Sequence, residues 1–301
     1  MPTYNNTTVI KVRKSALNNV VSEFEKIFRN QFSKLPLSNE YELARYSLHN
    51  STVIIYKSGK VVISGREIEK LRDFFLEFSE LNKVNNKFRY LIGIDETGKG
   101  EIIGNIIICG ALIDTSITDL KELEKIISGI DTKGKKKDIR RYEEAFRGII
   151  SLGVQYKIQE ISPEELKPKK TNLIMTEKVL KLLEKLIPNV KEWNSLRITI
   201  DDFGFKAKDK IKEKYKIPEV ILEPKADENY IECKVASVIS RYHREKFLEY
   251  INSSDEYIIE GIKPLNGNLA DPNTIEWLKR WKEIKGELPK FVKKWNIPKK
   301  Q

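Results

Sequence analysis

Between Tyr90 and Ile113 two apolar runs are joined by the hexapeptide Asp95-Glu96-Thr97-Gly98-Lys99-Gly100. The run from Tyr90 to Ile94 and the run from Ile102 to Ile113 are rich in β-branched residues, and glycines stand where the chain must reverse, so the segment reads as a strand, a tight turn and a returning strand. The apolar run from Tyr90 reads as a buried strand. The two acids then fall at the rim, beside glycines that let backbone approach a ligand closely. A hard-cation site acting on phosphates needs that arrangement, and a plain acidic turn between two strands is the alternative.

The charge balance points the same way. The chain has 301 residues, with 55 Lys and Arg against 44 Asp and Glu, giving a net charge of +11 and a pI near 9.3. Such a field attracts polyanions, and nucleic acid is the expected one. A solvated or heat-adapted surface would explain the density of charge but not its sign. Only two cysteines occur, Cys109 and Cys233, both in apolar surroundings, which argues against a disulfide framework or a thiolate zinc site and for a reducing compartment. No signal peptide and no apolar run of transmembrane length are seen, so a cytoplasmic protein with no membrane association is expected.

Residues 1–82 read as a unit of their own. A strand at Thr8–Val12 precedes a helix whose apolar residues Leu17, Val20, Val21, Phe24, Ile27, Phe28 and Phe32 repeat at helical spacing, with Ser15 as its N-cap. Tyr41–Leu48 is a strand. Thr52–Tyr56 and Lys60–Ile63 form a hairpin about a two-residue Ser58-Gly59 turn, and Ile68, Leu71, Phe75 and Phe78 mark a second amphipathic helix. The order implies an antiparallel sheet with two helices on one face. Residues 82–89 are polar and aperiodic, a linker to a second unit over 88–301. There, strands are expected at 90–95, 102–113, 153–160 and 197–201. Helices are expected near 118–129, 138–150, 171–187, 206–215, 231–251 and 273–285, making an α/β domain.

Two more segments carry acids. Arg197-Ile-Thr-Ile-Asp201-Asp202-Phe203-Gly204 is a short strand in which Ile198 and Ile200 share one face while Thr199 and Asp201 share the other. Pro224-Lys225-Ala226-Asp227 precedes the small-residue helix Cys233-Lys-Val-Ala236-Ser237-Val-Ile239. Asp201 and Asp227 are therefore candidate ligands, whereas Asp202 suits turn or cap chemistry. Acids alone suffice for phosphodiester hydrolysis, because two magnesium ions about 4 Å apart can activate water and neutralise the leaving 3′ oxygen. Neither His49 nor His243 lies in a triad-like motif.

These motifs together resemble the type 2 ribonucleases H. Ile94-Asp95-Glu96-Thr97-Gly98-Lys99-Gly100 is similar to that family's Asp-Glu-x-Gly-x-Gly signature, Asp131-Thr-Lys133 to its Asp-Ser-Lys segment, Ile200-Asp201 to its third acid, and Lys225-Ala226-Asp227 through Ala236-Ser237-Val238-Ile239-Ser240-Arg241 to its fourth acid and following helix. The resemblance implies a ribonuclease H-like mixed sheet flanked by helices. It implies that Asp95, Glu96, Asp201 and Asp227 bind Mg2+ or Mn2+ and catalyse, and that the Gly98-Lys99-Gly100 turn, Lys133 and Asn172 contact substrate. It leans to the ribonuclease HIII branch. The first 80 residues resemble that branch's N-terminal domain, itself similar to half of a TATA-binding protein, and serve there to bind substrate. Asp201-Asp202-Phe203 resembles its Asp-Gln-Phe, and Asn172 lies where it carries Asn-Leu-Asn.

Asp227 follows the HII branch, where HIII usually has Glu. Asn105 replaces a common proline, and Lys99 replaces the arginine typical of HII. Trp277-Leu-Lys-Arg280-Trp281-Lys282 interleaves aromatics with bases as nucleic-acid surfaces do, but the four-residue spacing favours core packing in a C-terminal helical cap, with Trp295 where HIII tends to carry His-Phe. The expected function is a metal-dependent endonuclease, monomeric and without a protein partner identifiable from sequence, that cuts the RNA strand of RNA/DNA hybrids. HII-type incision at single embedded ribonucleotides and a non-catalytic hybrid-binding role are the alternatives. A DNA-directed nuclease on the same fold is disfavoured by the Gly-Lys-Gly turn.

Overall fold

The computed structural model describes residues 6–66, 68–79, 87–128, 130, 139–167 and 170–294. In the N-terminal part, β1 (Asn6–Lys11), α1 (Leu17–Ile27), β2 (Ser33–Lys34), β3 (Glu42–Leu48), β4 (Ser51–Tyr56), β5 (Lys60–Gly65) and α2 (Glu69–Leu76) follow in sequence. The sheet order is β1-β5-β4-β3-β2, all antiparallel. Strict alternation decides its two faces: Ile10, Val53, Ile55, Val61 and Ile63 are buried with Val20, Phe24 and Phe75 of the helices. Val9, Thr52, Ile54, Tyr56 and Val62 stand half-exposed on the other face.

Three local expectations need correcting here. Ser15 does not cap α1; it sits inside a 3-10 turn, Lys14–Ala16, that leads into the helix from Ala16. The hairpin turn has three residues, Lys57-Ser58-Gly59, because Gly59 takes the left-handed conformation at φ 87° that closes a three-residue loop. Ile27, placed on the buried face of α1 by its spacing, is more than half exposed.

The second unit comprises β6 (Tyr90–Thr97), β7 (Ile106–Asp114), α3 (Leu120–Ser128), α4 (Ile139–Ser151), β8 (Gln155–Ile161), α5 (Thr171–Leu186), β9 (Leu196–Asp201), α6 (Lys208–Tyr215), β10 (Glu219–Glu223), α7 (Ile231–Ser253) and α8 (Pro272–Lys285). Its sheet runs β10-β9-β6-β7-β8, with β6, β9 and β10 parallel and β7 and β8 antiparallel to their neighbours. This is the expected mixed α/β architecture. β10 was not foreseen: Glu219-Val-Ile-Leu-Glu is short, flanked by charge, and becomes a strand only because β9 offers it a parallel edge. The returning strand also starts later than its apolarity suggests, since Ile102 and Ile103 leave the sheet to join Leu248, Trp277, Trp281 and Val292 in a separate core. Trp277 and Trp281 are thus packing residues, their indole N–H groups donating to the carbonyls of Tyr257 and Glu287.

Helices cover both faces of the sheet. Ile92, Ile94, Ile108, Ile198 and Ile200 pack on α5, while Leu91, Cys109 and Ala111 pack under α3, α4 and α7. At Gly93 the backbone of α7 comes so close that a Cβ would lie 2.0 Å from the Glu232 carbonyl. Glu232 is fully buried and receives Arg197 Nε at 2.9 Å, Arg197 Nη2 at 3.1 Å and the Thr199 hydroxyl at 2.6 Å. The start of α7 is thereby fastened to β9. Among the described residues no helix is long and apolar enough to cross a membrane.

The two units meet at α3. The Thr8 hydroxyl donates to the Ser128 carbonyl at 3.2 Å, and Ser79 bonds the Glu124 carboxyl, whose pKa burial drives up to about 7. The folded form therefore holds a proton that the unfolded chain releases near the ordinary glutamate value, so this group's contribution to stability is whole below about pH 4.5 and is lost as pH rises through about 7. Glu124→Gln removes the titration. We expect wild type and variant to be close in stability at pH 4.5 and the variant to be more stable by on the order of 3 kcal/mol at pH 8, measured by denaturant unfolding at both pH values.

Candidate active site

Asp95 and Asp201 occupy equivalent places on neighbouring parallel strands. Ile94 pairs with Ile200, so the next residue on each strand projects to the α7 face one strand spacing, about 4.8 Å, from the other. Both lie at the carboxyl end of the sheet, where a parallel pair leaves a crevice. After β10, Lys225 adopts a left-handed conformation (φ 60°), which turns the chain into the 3-10 segment Ala226–Glu228. That reversal carries buried Asp227 to the same rim and aims the Ala226 N–H at Asp201 Oδ1, 3.0 Å away. Ser237 on α7 bonds the Asp95 carboxyl.

The acids feel one another. Burial pushes the Asp95 carboxyl well above the usual aspartate range, and the charges of Glu96, Asp201 and Asp227 push it further. Glu96, half-buried, is raised by desolvation, opposed by the Lys99 ammonium and raised again by Asp201. Among the described residues no three His, Cys, Asp or Glu side chains already converge as a ready-made cage; the carboxylates share one rim while engaged with Ser237 and the Ala226 amide. The donor set is all oxygen, which fits a hard divalent cation. The mutual repulsion around Asp95 is what such an ion relieves.

Around the acids the Gly98-Lys99-Gly100 turn forms one wall. Gly98 has φ 89° and its missing Cβ leaves room for the Asn105 carbonyl, while nothing lies within 4 Å of the position a Gly100 Cβ would occupy. Lys99 Nζ donates to the Phe203 carbonyl at 2.9 Å, reaching across from β6 to the loop after β9. That loop is shaped by Asp202, whose Oδ1 accepts from the amides of Gly204 and Phe205, so Asp202 is a turn residue. Asn172, in the first turn of α5, rests against Gly204, its Nδ2 2.4 Å from where a Cβ would stand. Asp95, Glu96, Asp201, Asp227, Lys99 and Asn172 are thus gathered at one end of the sheet. Lys133 and its basic loop, like Trp295, lie outside the described residues.

Sequence reasoning passed over what lies beneath the turn. Glu101 ion-pairs with Arg241 at 3.4 Å and Arg244 at 3.7 Å, and the buried Arg244 donates to the carbonyls of Ile103 and Asn266. Lys293 also belongs to this layer. In the sequence Ser237 is one of several small residues in that helix, and nothing in its spacing marks it as the partner of Asp95. His243 meets Phe146 and Tyr242 edge-on and lies tilted against Tyr156, and His49 lies in the β3–β4 turn; neither touches the acids.

Comparison with known proteins agrees with this geometry. The family model for ribonuclease HII matches residues 92–296. The chain belongs to the ribonuclease HII family. Ribonuclease HII of Thermococcus sibiricus is 29% identical over 218 residues, covering 69% of this chain and 89% of that protein. The crystal structure of ribonuclease H2 from Pyrococcus horikoshii superposes with a TM-score of 0.54 at 24% identity, over 68% of this chain and 93% of its own. That of Aquifex aeolicus RNase H3 gives 0.44 at 23% identity, over 95% of this chain and 98% of its own. The protein is a type 2 ribonuclease H with endoribonuclease H activity.

A carboxylate buried among like charges destabilises the fold that holds it. Asp95→Asn keeps the shape and the Ser237 contact while removing the charge. We expect the metal-free variant to be more stable than wild type by about 1–3 kcal/mol at pH 8, read from thermal or urea unfolding in excess chelator.

Proposed function

We propose that this ribonuclease HII family member is a divalent-metal-dependent endonuclease that hydrolyses the RNA strand of RNA/DNA hybrids, leaving 5′-phosphate and 3′-hydroxyl ends. The observation that carries the reading is the placement of Asp95 and Asp201 side by side on one face of parallel strands, with Glu96 and Asp227 at the same rim. Asp95, Glu96, Asp201 and Asp227 hold two Mg2+ or Mn2+ ions, which when bound supply water activation and neutralisation of the leaving oxygen. The chain supplies the rest. Ser237 and the Ala226 amide orient Asp95 and Asp201. Lys99 tempers the charge on Glu96 and ties the turn to the β9 loop. The glycines of that turn let its backbone approach a phosphate and a 2′-hydroxyl, with Asn172 at the opposite edge and Lys133 on the phosphate backbone.

One chain carries the whole acid set, which supports action as a monomer. Lys99 is a point charge where an arginine would present a planar fork, so a lone 2′-hydroxyl is gripped more loosely than a run of ribonucleotides.

Cleavage of end-labelled duplexes in Mg2+ or Mn2+ tests both statements. We expect Asp95→Asn and Asp201→Asn to lose more than about hundredfold in kcat while binding hybrid like wild type, and wild type to show a higher kcat/KM on a continuous RNA strand than on a single embedded ribonucleotide. Turnover by either variant within tenfold of wild type would remove the four-acid site, and equal or better cutting at the lone ribonucleotide would assign HII-type specificity.

The N-terminal unit contributes binding. Its uncovered sheet face, with Val9, Ile54, Tyr56 and Val62 half-exposed, lies outside the acid constellation and suits docking of a duplex. Removing residues 1–86 is expected to raise KM for hybrid several-fold at fixed salt and to change kcat by less than about twofold; unchanged KM in steady-state kinetics would sink this role.

A further inference from the structure

Lys293 is 0% exposed, and its ammonium donates to two main-chain carbonyls, those of Gly98 and Glu101. Among the described residues it makes no ion pair. Burying an ammonium without a carboxylate is costly, and the segment around it does not need the side chain to stay in place. Lys293 N–H donates to Ile102 O at 2.8 Å, Gly104 N–H to Phe291 O at 2.8 Å, and Val292 bridges Ile103. The hydrogen bonds of the ammonium go to the turn's main chain, while the Glu101 and Glu96 carboxylates act on it only through charge.

The geometry of the peptide bond says what that achieves. In a trans peptide the carbonyl and the following N–H point in opposite directions. With Gly98 O drawn inward to the buried ammonium, the N–H of Lys99 is presented the opposite way, away from that ammonium, and the neighbouring Gly100 puts no side chain beside it. A cation on the carbonyl also polarises that peptide and strengthens its N–H as a donor. Gly98 has the freedom to turn the other way (φ 89°), so some contact must select this orientation. We propose that Lys293 is a positioning residue for the substrate-facing turn: by holding the Gly98 and Glu101 carbonyls inward it fixes the Lys99 amide that meets a phosphate of the cleaved strand. This rests on the reading of Gly98–Gly100 as the hybrid-binding wall.

The test compares Lys293→Met, which keeps the apolar stem, and Lys293→Gln, whose amide can still donate to one carbonyl. Steady-state kinetics on a continuous hybrid are paired with hydrogen exchange of a peptide spanning residues 96–102. For Lys293→Met the expected result is a KM raised about tenfold with kcat within about twofold, and faster exchange confined to that peptide; Lys293→Gln falls between it and wild type. An unchanged KM overturns the proposal. So does a joint loss of kcat and KM with faster exchange throughout β7 and α7, which is the signature of a merely structural lysine. Should Lys293→Met not fold, Lys293→Gln alone decides by the same two readouts. If wild type cuts no hybrid, the reading of the site fails instead, and exchange in the 96–102 peptide still decides whether Lys293 holds the turn.

Discussion

The anchoring of α7 to the sheet governs nearly everything at the active rim. Arg197, Thr199 and Glu232 form a buried, fully hydrogen-bonded group between β9 and the first turn of that helix, and Gly93 lets the two backbones touch. A buried ion pair of this kind is weak evidence for stability, because desolvation consumes most of its Coulomb energy. Its value is in registry. Glu232 can satisfy Arg197 and Thr199 together in only one position of α7, and that position puts Ser237, a little over one turn further on, against Asp95. Cys233, between them, points its thiol at the carbonyls of Ile94 and Thr199 and fills the seam.

A second layer of charge opposes the first. The rim gathers acids in which burial first, and mutual repulsion after it, raises Asp95 and Glu96, while Arg241, Arg244 and Lys293 lie behind the adjoining turn. Arg241 and Lys293 are close enough for Glu96 to feel their charge, but they make no hydrogen bond to the four acids among the described residues. Most of their hydrogen bonds end on main-chain carbonyls or on Glu101, so they set backbone direction and leave the carboxylates available. The rim is thus a cluster of closely placed acids on a scaffold stiffened by buried positive charge, an arrangement that trades stability for readiness to take up cations.

How much of this could be read from residues follows from the range of each interaction. Asp95 and Asp201 announced themselves because a strand's alternation is local and an acid ending an apolar run breaks a pattern. Their adjacency needed the parallel pairing of β6 with β9, which no local pattern encodes. β10 was invisible because its five residues carry two glutamates and acquire strand character only from β9. Ile102 and Ile103 looked like strand but serve the cap, since apolarity reports burial without saying in which core. Lys293 sits in a lysine-rich stretch that composition assigns to solvent, and only tertiary structure separates it from Lys290, which is exposed.

The Gly98–Lys293 contact spans 195 residues, and that separation has a meaning in time. During synthesis the acids of β6 emerge early and can pair with β7 at once, whereas the residue that fixes their neighbouring turn follows about 10 to 40 seconds later at ordinary translation rates. Until then the Gly98 peptide is free to flip. A nascent chain therefore passes through a period in which the strands that carry its acids can pair while the turn beside them still lacks the lysine that holds it.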